Sequence, residues 1–179
     1  MTMPQVVVAV GGGIAAYKSA TLVSRLVQQG YDVTVVLTAS AQQFVGPATF
    51  AALCNREPVI SVFDRQYPLG PHIELATDCR LFIVAPATAR ILASCALGLA
   101  DDLLSTLYLN MTCPVLMAPA MSSPMWEKPA VERNVKQLTN DGVHWVGPEE
   151  GWLSCRKTGT GRMAEADDIL KASLALLKD

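Results

Sequence analysis

Short unbroken apolar runs alternate along this chain with longer stretches in which apolar residues recur every three or four positions. The runs read as strands and the periodic stretches as helices. Gln5–Val10 is a β-branched run that ends in the glycines Gly11, Gly12 and Gly13. The next segment sets Ala16, Leu22, Val23, Leu26 and Val27 at helical spacing and stops at Gly30, which makes a unit of strand, glycine turn and helix. Tyr31–Leu37 is a second strand, followed after Ser40 by a helical stretch, AQQFV. Gly46–Cys54 predicts a short helix, Pro58–Phe63 a third strand, and the proline- and glycine-bearing segment Arg65–Pro71 a loop. The continuous run within Arg80–Ala85 fits a central parallel strand. Helical spacing resumes through Ile91, Leu92 and Cys95, and LGLADDLLSTLYL supplies a further helix.

Pro114–Ala118 is too short for a helix and is closed by Pro119, so it predicts a buried strand whose end opens into a loop. Pro129 opens a helix that carries Val131, Val135 and Leu138 as far as Gly142, and Val143–Val146 is the last expected strand. A Gly-rich polar stretch then leads to a C-terminal helix from Glu165 onward. Strands alternating with helices predict one α/β domain over residues 1–179, doubly wound around a mainly parallel sheet.

Composition narrows the function classes. A chain of 179 residues that is 51% hydrophobic can bury a sizeable core. A net charge of −2 with scattered basic residues leaves no footprint for nucleic acid. No apolar run is long enough to span a bilayer, and no charged segment precedes an apolar core at the N-terminus, so a cytoplasmic protein is expected. The cysteines Cys54, Cys79, Cys95, Cys113 and Cys155 are odd in number and lack zinc-ligand spacing, which argues against a disulfide framework and a metal site. High apolar content with only 17% charged residues makes buried faces between copies an expectation.

The candidate chemistry sits at the ends of the strands. Glycines after Gln5–Val10 let a ligand approach the backbone, and the following helix N-terminus offers amides to a phosphate. The spacing is not G-x-G-x-x-G, so a mononucleotide is favoured over a dinucleotide. Thr38 and Ser40 follow the second strand, where hydroxyls either cap a helix or donate to the same anion. The loop after Pro119 holds Met121, Ser122, Met125 and Trp126, which form either ordinary core or a wall for something flat and apolar. Asp101 and Asp102 are adjacent, so on a helix they point about 100° apart, and capping is the better reading than paired acid-base work. The stretch from Gly147 to Glu165 is about 19 residues long, beyond the usual length of a structureless loop without a function. It reads as a lid, with Cys155 among Arg156, Lys157 and Arg162, a setting that lowers a thiol's pKa and suits a phosphorylated substrate.

Seven segments carry a family resemblance. PAMSSPMW resembles the P-x-M-N-x-x-M-W signature of the homo-oligomeric flavin-containing cysteine decarboxylases, a family that includes phosphopantothenoylcysteine decarboxylase and the peptidyl-cysteine decarboxylases of lantibiotic biosynthesis. GGGIAAYK, LTASAQQFV, HIEL, PAT, ADDLLST and SCRKTGTGRMAE resemble further family segments in the same order. Ser122 stands where the family has an asparagine, Arg90 where PAT would continue to another, and Arg156 where the last segment has its first glycine.

The resemblance implies a Rossmann-like fold that binds FMN through Gly12, Gly13, Ile14, Ala15, Thr38, Ser40, Phe44, Pro86, Ala87, Thr88, Asp101 and Met121. It further implies His72 as active-site base, Ser122 at the substrate carboxylate and Cys155 as a lid thiol; His144 is left structural. The implied activity is FMN-dependent decarboxylation of a small phosphorylated cysteine conjugate, with 4′-phospho-N-pantothenoylcysteine in coenzyme A biosynthesis ranked first. The alternatives are oxidative decarboxylation of a peptide's C-terminal cysteine and a non-catalytic regulatory flavoprotein. A homo-oligomer, trimer or dodecamer, is implied as well.

Overall fold

A computed structural model of the chain describes residues 4–178. Its centre is a parallel sheet in the order β2-β1-β3-β4-β5, made of β1 (Gln5–Val10), β2 (Asp32–Leu37), β3 (Cys79–Ala87), β4 (Val115–Pro119) and β5 (His144–Trp145). Side chains of a strand alternate between its two faces, so a run that is apolar at every position has to be covered twice. Val6, Val8 and Val10 of β1 join one core, and Val7 and Ala9 join the other. The first face is covered by α1 (Ala16–Gln28), α2 (Pro47–Cys54) and the C-terminal helix, α8 (Ala166–Leu176). The second is covered by α3 (Pro71–Thr77), α4 (Ala89–Ala96), α5 (Leu103–Asn110) and α7 (Pro129–Asn140), with the one-turn α6 (Ser123–Trp126) beside it. The doubly wound α/β architecture expected from the alternation is therefore present, Rossmann-like as the resemblance implies.

Three expectations need correction. Pro58–Phe63 is not a strand: only Val59 bridges to β2, with its amide donating to the Val35 carbonyl at 2.8 Å. Pro58 has no amide to give, and the Ser61 hydroxyl accepts from the Phe63 amide at 3.1 Å, which bends the chain away from the sheet edge. AQQFV forms a single 3-10 turn, Ala41–Gln43, and not a longer helix. The stretch after Gly147 is not a structureless loop, because β6 (Glu149–Trp152) and β7 (Thr158–Arg162) pair into an antiparallel hairpin. Its glycines are strand residues that let the ribbon lie against neighbouring backbone, a use of glycine that mimics loop composition.

The HIELA segment, for which periodicity gives no element, is the body of α3, with Pro71 at the first helical position and Glu74 in the first turn. Asp102 caps α5 in a capping box with Ser105, as expected of one member of the acidic pair. Asp101 instead accepts from Arg90 at 2.9 Å.

From β1 the chain moves outward to β2 and then crosses back to β3, so the winding reverses between β1 and β3. In open parallel sheets ligands bind beyond the carboxyl ends of the strands at such a reversal. Phe82, fully buried in the central strand, packs within the second core. Phe82→Ala is expected to cost about 3–5 kcal/mol in urea denaturation, with the transition staying cooperative.

Candidate active site

The turns after β1, β2 and β3 are pressed together at the winding reversal. A Cβ at Gly11 would overlap the Pro86 carbonyl, and one at Gly12 would overlap Ser40, so glycine is required at both positions by backbone approach. Gly13 lies 3.9 Å, measured from an ideal Cβ, from the Thr88 methyl. Gly12, Gly13, Ser40, Pro86 and Thr88 therefore form one contiguous ridge.

The hydroxyls on this ridge divide by role. Thr38 Oγ1 donates to the Val10 carbonyl and accepts from the Ala41 amide, both at 3.2 Å, so it ties the first two turns together. Thr88 caps α4 by accepting from the Ile91 amide. Ser40 makes no capping bond to its own turn and stands exposed beside Gly12. The N-terminus of α1 has neither a side-chain cap nor an acidic residue in its first turn. Its positive dipole end is thus open to an anion. Beyond the ridge, Ile14 is 58% and Phe44 50% exposed, costly surface for a protein to leave in water without a ligand.

On the other side of Gly13 lies a cavity of about 380 Å³. Its walls include Gly13, Ile14, Ala15, Met121, Ser122 and Cys155, so six residues named from the sequence meet in one place. The hairpin β6–β7 delivers Cys155. Gly161 and Gly159 in β7 leave room for Met121 and Ser123, and the Met121 amide donates to the Gly161 carbonyl at 3.0 Å. The far end of the hairpin is fastened to α1 by a charge cluster. Lys18 Nζ donates to the Met163 carbonyl and to Glu165, each at 2.9 Å, while Arg162 donates to Glu165 at 2.5 Å and to Glu149 at 3.5 Å. The hydrogen bond from Lys18, followed by the charges of Lys18 and Arg162, holds the Glu165 carboxyl below the usual carboxylate range. Lys18, Glu165 and the cavity-lining Trp152 were not singled out from the sequence. Lys18 is 8% exposed on the buried face of α1, which also carries Ser19, and nothing in the local sequence marks it.

Ala87, fully buried at the end of β3, packs in the second core, and two expected residues stand apart from both ridge and cavity. His72 lies in the first turn of α3, its ring against Gly70 and its carbonyl accepting from Asn110 at 2.8 Å. Its Nδ1 is buried without a partner, a state shared among the described side chains only by Arg162 Nε. Asp101 pairs with Arg90 beyond the start of α4. Of the thiols, Cys54 is pushed up to about 11 and Cys95 to about 12 by burial, and a hydrogen bond with Cys113 raises Cys79. Among the cysteines, Cys155 is the exposed one.

Residues 1–178 match the family model described as Flavoprotein. The chain belongs to the Flavoprotein family. It is 46% identical over 167 residues to the coenzyme A biosynthesis bifunctional protein CoaBC of Bacillus subtilis, covering 93% of this chain and 41% of that protein. It is 45% identical over 174 residues to the CoaBC of Mycobacterium bovis, covering 97% and 41%. The chain thus spans about two-fifths of the length of these curated relatives. Among solved structures it resembles a PPC decarboxylase mutant complexed with pantothenoylaminoethenethiol, with TM-score 0.87, 27% identity, and coverage of 99% of this chain and 100% of that one. It also resembles the FMN-dependent cysteine decarboxylase SpaF, with TM-score 0.81, 29% identity, and coverage of 96% and 98%.

The ridge fits the flavin that a Flavoprotein member implies. A free hydroxyl and an uncapped helix end suit a phosphate, and exposed Ile14, which lines the cavity with Met121, and exposed Phe44 suit a flat apolar ring. Gly12→Ala is expected to lower the flavin content about tenfold or more, because the new methyl displaces Ser40 and its backbone; the absorption spectrum of the purified protein checks it.

The Glu165 link has a pH signature. A carboxylate lowered in the folded state contributes stability that is complete above its ordinary pKa and is lost as pH falls through its lowered one. Between about pH 5 and pH 2 the amides of β7 should lose hydrogen-exchange protection in the wild type, and Glu165→Gln should show that lower protection already at pH 7.

Proposed function

We propose that this chain binds FMN on the glycine ridge and decarboxylates 4′-phospho-N-pantothenoylcysteine to 4′-phosphopantetheine and CO₂, a step of coenzyme A biosynthesis. The observation that carries the reading is the meeting of Cys155 and Ser122 in one cavity with the Gly13–Ala15 turn. The similarity to CoaBC proteins and to a PPC decarboxylase holding pantothenoylaminoethenethiol supports it. When bound, FMN supplies a two-electron acceptor that can take up a hydride and give it back. Ser122, at the N-terminus of α6, orients the substrate carboxylate through its hydroxyl, which does not cap that helix. The Cys155 thiol delivers a proton to the carbon that has lost CO₂. That proton is needed for a saturated product and not for an oxidised one, so Cys155 favours the coenzyme A substrate over a peptide's C-terminal cysteine.

His72 is the base in this scheme, and its own chain does not bring it to the cavity. We read the site as completed by a second copy in a closed homo-oligomer, a trimer or a multiple of one. On the segment that leads into and includes His72, Phe63 is 87%, Leu69 70% and Ile73 42% exposed, apolar surface that the active-site face of the next copy would cover. Five free thiols support a reducing compartment, and the cytoplasm is the compartment of this reading.

FMN-loaded protein should release CO₂ from 4′-phospho-N-pantothenoylcysteine, with 4′-phosphopantetheine detected by mass spectrometry; absence of both products sinks the reading. His72→Asn should slow CO₂ release about 100-fold or more, whereas Cys155→Ser should keep it while the oxidised enethiol accumulates. Mixed oligomers of His72→Asn with Ser122→Ala chains should regain activity that neither variant shows alone, and failure to regain it would place base and carboxylate site on one chain.

A further inference from the structure

The tip of the β6–β7 hairpin carries a residue that its own geometry disfavours. Trp152 pairs with Thr158, the Leu153 amide donates to the Lys157 carbonyl at 2.8 Å, and the Arg156 amide donates to the Leu153 carbonyl at 2.9 Å. These bonds close a turn over Leu153–Arg156 in which Ser154, Cys155 and Arg156 are the loop. Loops of this kind end in a left-handed residue, a position suited to glycine and next to asparagine. Arg156 occupies it with φ 62°. The other positive-φ positions among the described residues are glycines, apart from Asn55. Arginine gains nothing for the backbone there, and such strain gathers where a side chain is needed for a ligand.

The distribution of charge says what kind of ligand. The cations in the cavity wall, Lys18 and Arg162, are matched by Glu165 and Glu149. At the tip, neither Arg156 nor Lys157 has an ion-pair partner among the described residues. Both are exposed, and they follow directly on Ser154 and Cys155, which line the cavity. The hairpin's own acids, Glu149 and Glu150, lie at its opposite end. The cavity thus has a charge-balanced wall and an uncompensated positive rim.

We propose that Arg156, with Lys157 beside it, is the specificity-determining group for a phosphomonoester at the far end of the substrate, held while Cys155 reaches the reacting end. This rests on the reading of the cavity as the site of a phosphorylated cysteine conjugate. The FMN phosphate is the other possible anion, and the ridge at Gly12 and Ser40 already provides for it on a different turn.

The test is equilibrium binding of 4′-phosphopantetheine, pantetheine and FMN to wild type, Arg156→Gly, Arg156→Asn and Arg156→Lys, each ligand of the pantetheine pair being added to FMN-loaded protein. Wild type should prefer the phosphorylated ligand, and Arg156→Gly and Arg156→Asn should weaken it about tenfold or more while pantetheine and FMN change less than about twofold. Arg156→Lys should recover part of the loss, and Arg156→Gly should melt at a higher temperature than wild type because the turn is relieved. Equal binding of 4′-phosphopantetheine by wild type and Arg156→Gly overturns the proposal, as does weakened FMN binding with the pantetheine pair unaffected. Because these are binding measurements, absence of CO₂ release would count against the decarboxylase reading alone.

Discussion

The close approach of backbone to backbone at the carboxyl end of β1 is the constraint on which the rest of this structure depends. Gly11 leaves no room for a side chain before the Pro86 carbonyl, and Gly12 leaves none before Ser40. Thr38 fixes the same junction by hydrogen-bonding to Val10 and Ala41 at once, and Ser19 on α1 donates to the Ala85 carbonyl at 2.6 Å. Three strands that are apolar at nearly every position can then end at one level, with their turns forming a single ridge. A larger residue at either glycine would separate the turns.

A second layer of organisation rests on that ridge. The β6–β7 ribbon lies outside the main sheet and has no core of its own, and an isolated hairpin is marginal in water. It is ordered because Gly159 and Gly161 let it lie flat against the loop after β4, and because Lys18, reaching from α1, binds both Met163 and Glu165. Those two attachments also build the cavity: one wall is the turn that opens α1, the second is the loop after β4, and the third is the ribbon. The segment that reads from composition as a mobile lid is therefore held in place at its base, and its unpaired tip carries the exposed thiol and the strained arginine.

Much of the candidate site was legible in the chain because its parts are local. A glycine turn after a β-branched run, hydroxyls after the next, and a Pro-Ala-Met loop after a short buried run each announce a strand end, and strand ends are where an open parallel sheet binds ligands. Lys18 was not legible, since a lysine at one position of a helix is ordinarily a solvated side chain. The hairpin was hidden for a related reason. Its strands are polar and glycine-rich because they pack against loop backbone and not against a hydrophobic core, so they lack the alternation by which half-buried strands are recognised.

What the sequence by itself determined is the set of elements whose burial is two-sided or periodic, the doubly wound order that follows from them, and the strand ends at which chemistry was expected. Local pattern suffices there, because an apolar run or a helical stripe has few ways to leave water. Only the tertiary structure decided which of those ends meet. Gly13, Ser122 and Cys155 are far apart in the chain and share a cavity, whereas His72, in the first turn of α3, does not line it. Those outcomes follow from backbone contact, ion pairing and strand order, which depend on residues distant in sequence and leave no periodic trace in it.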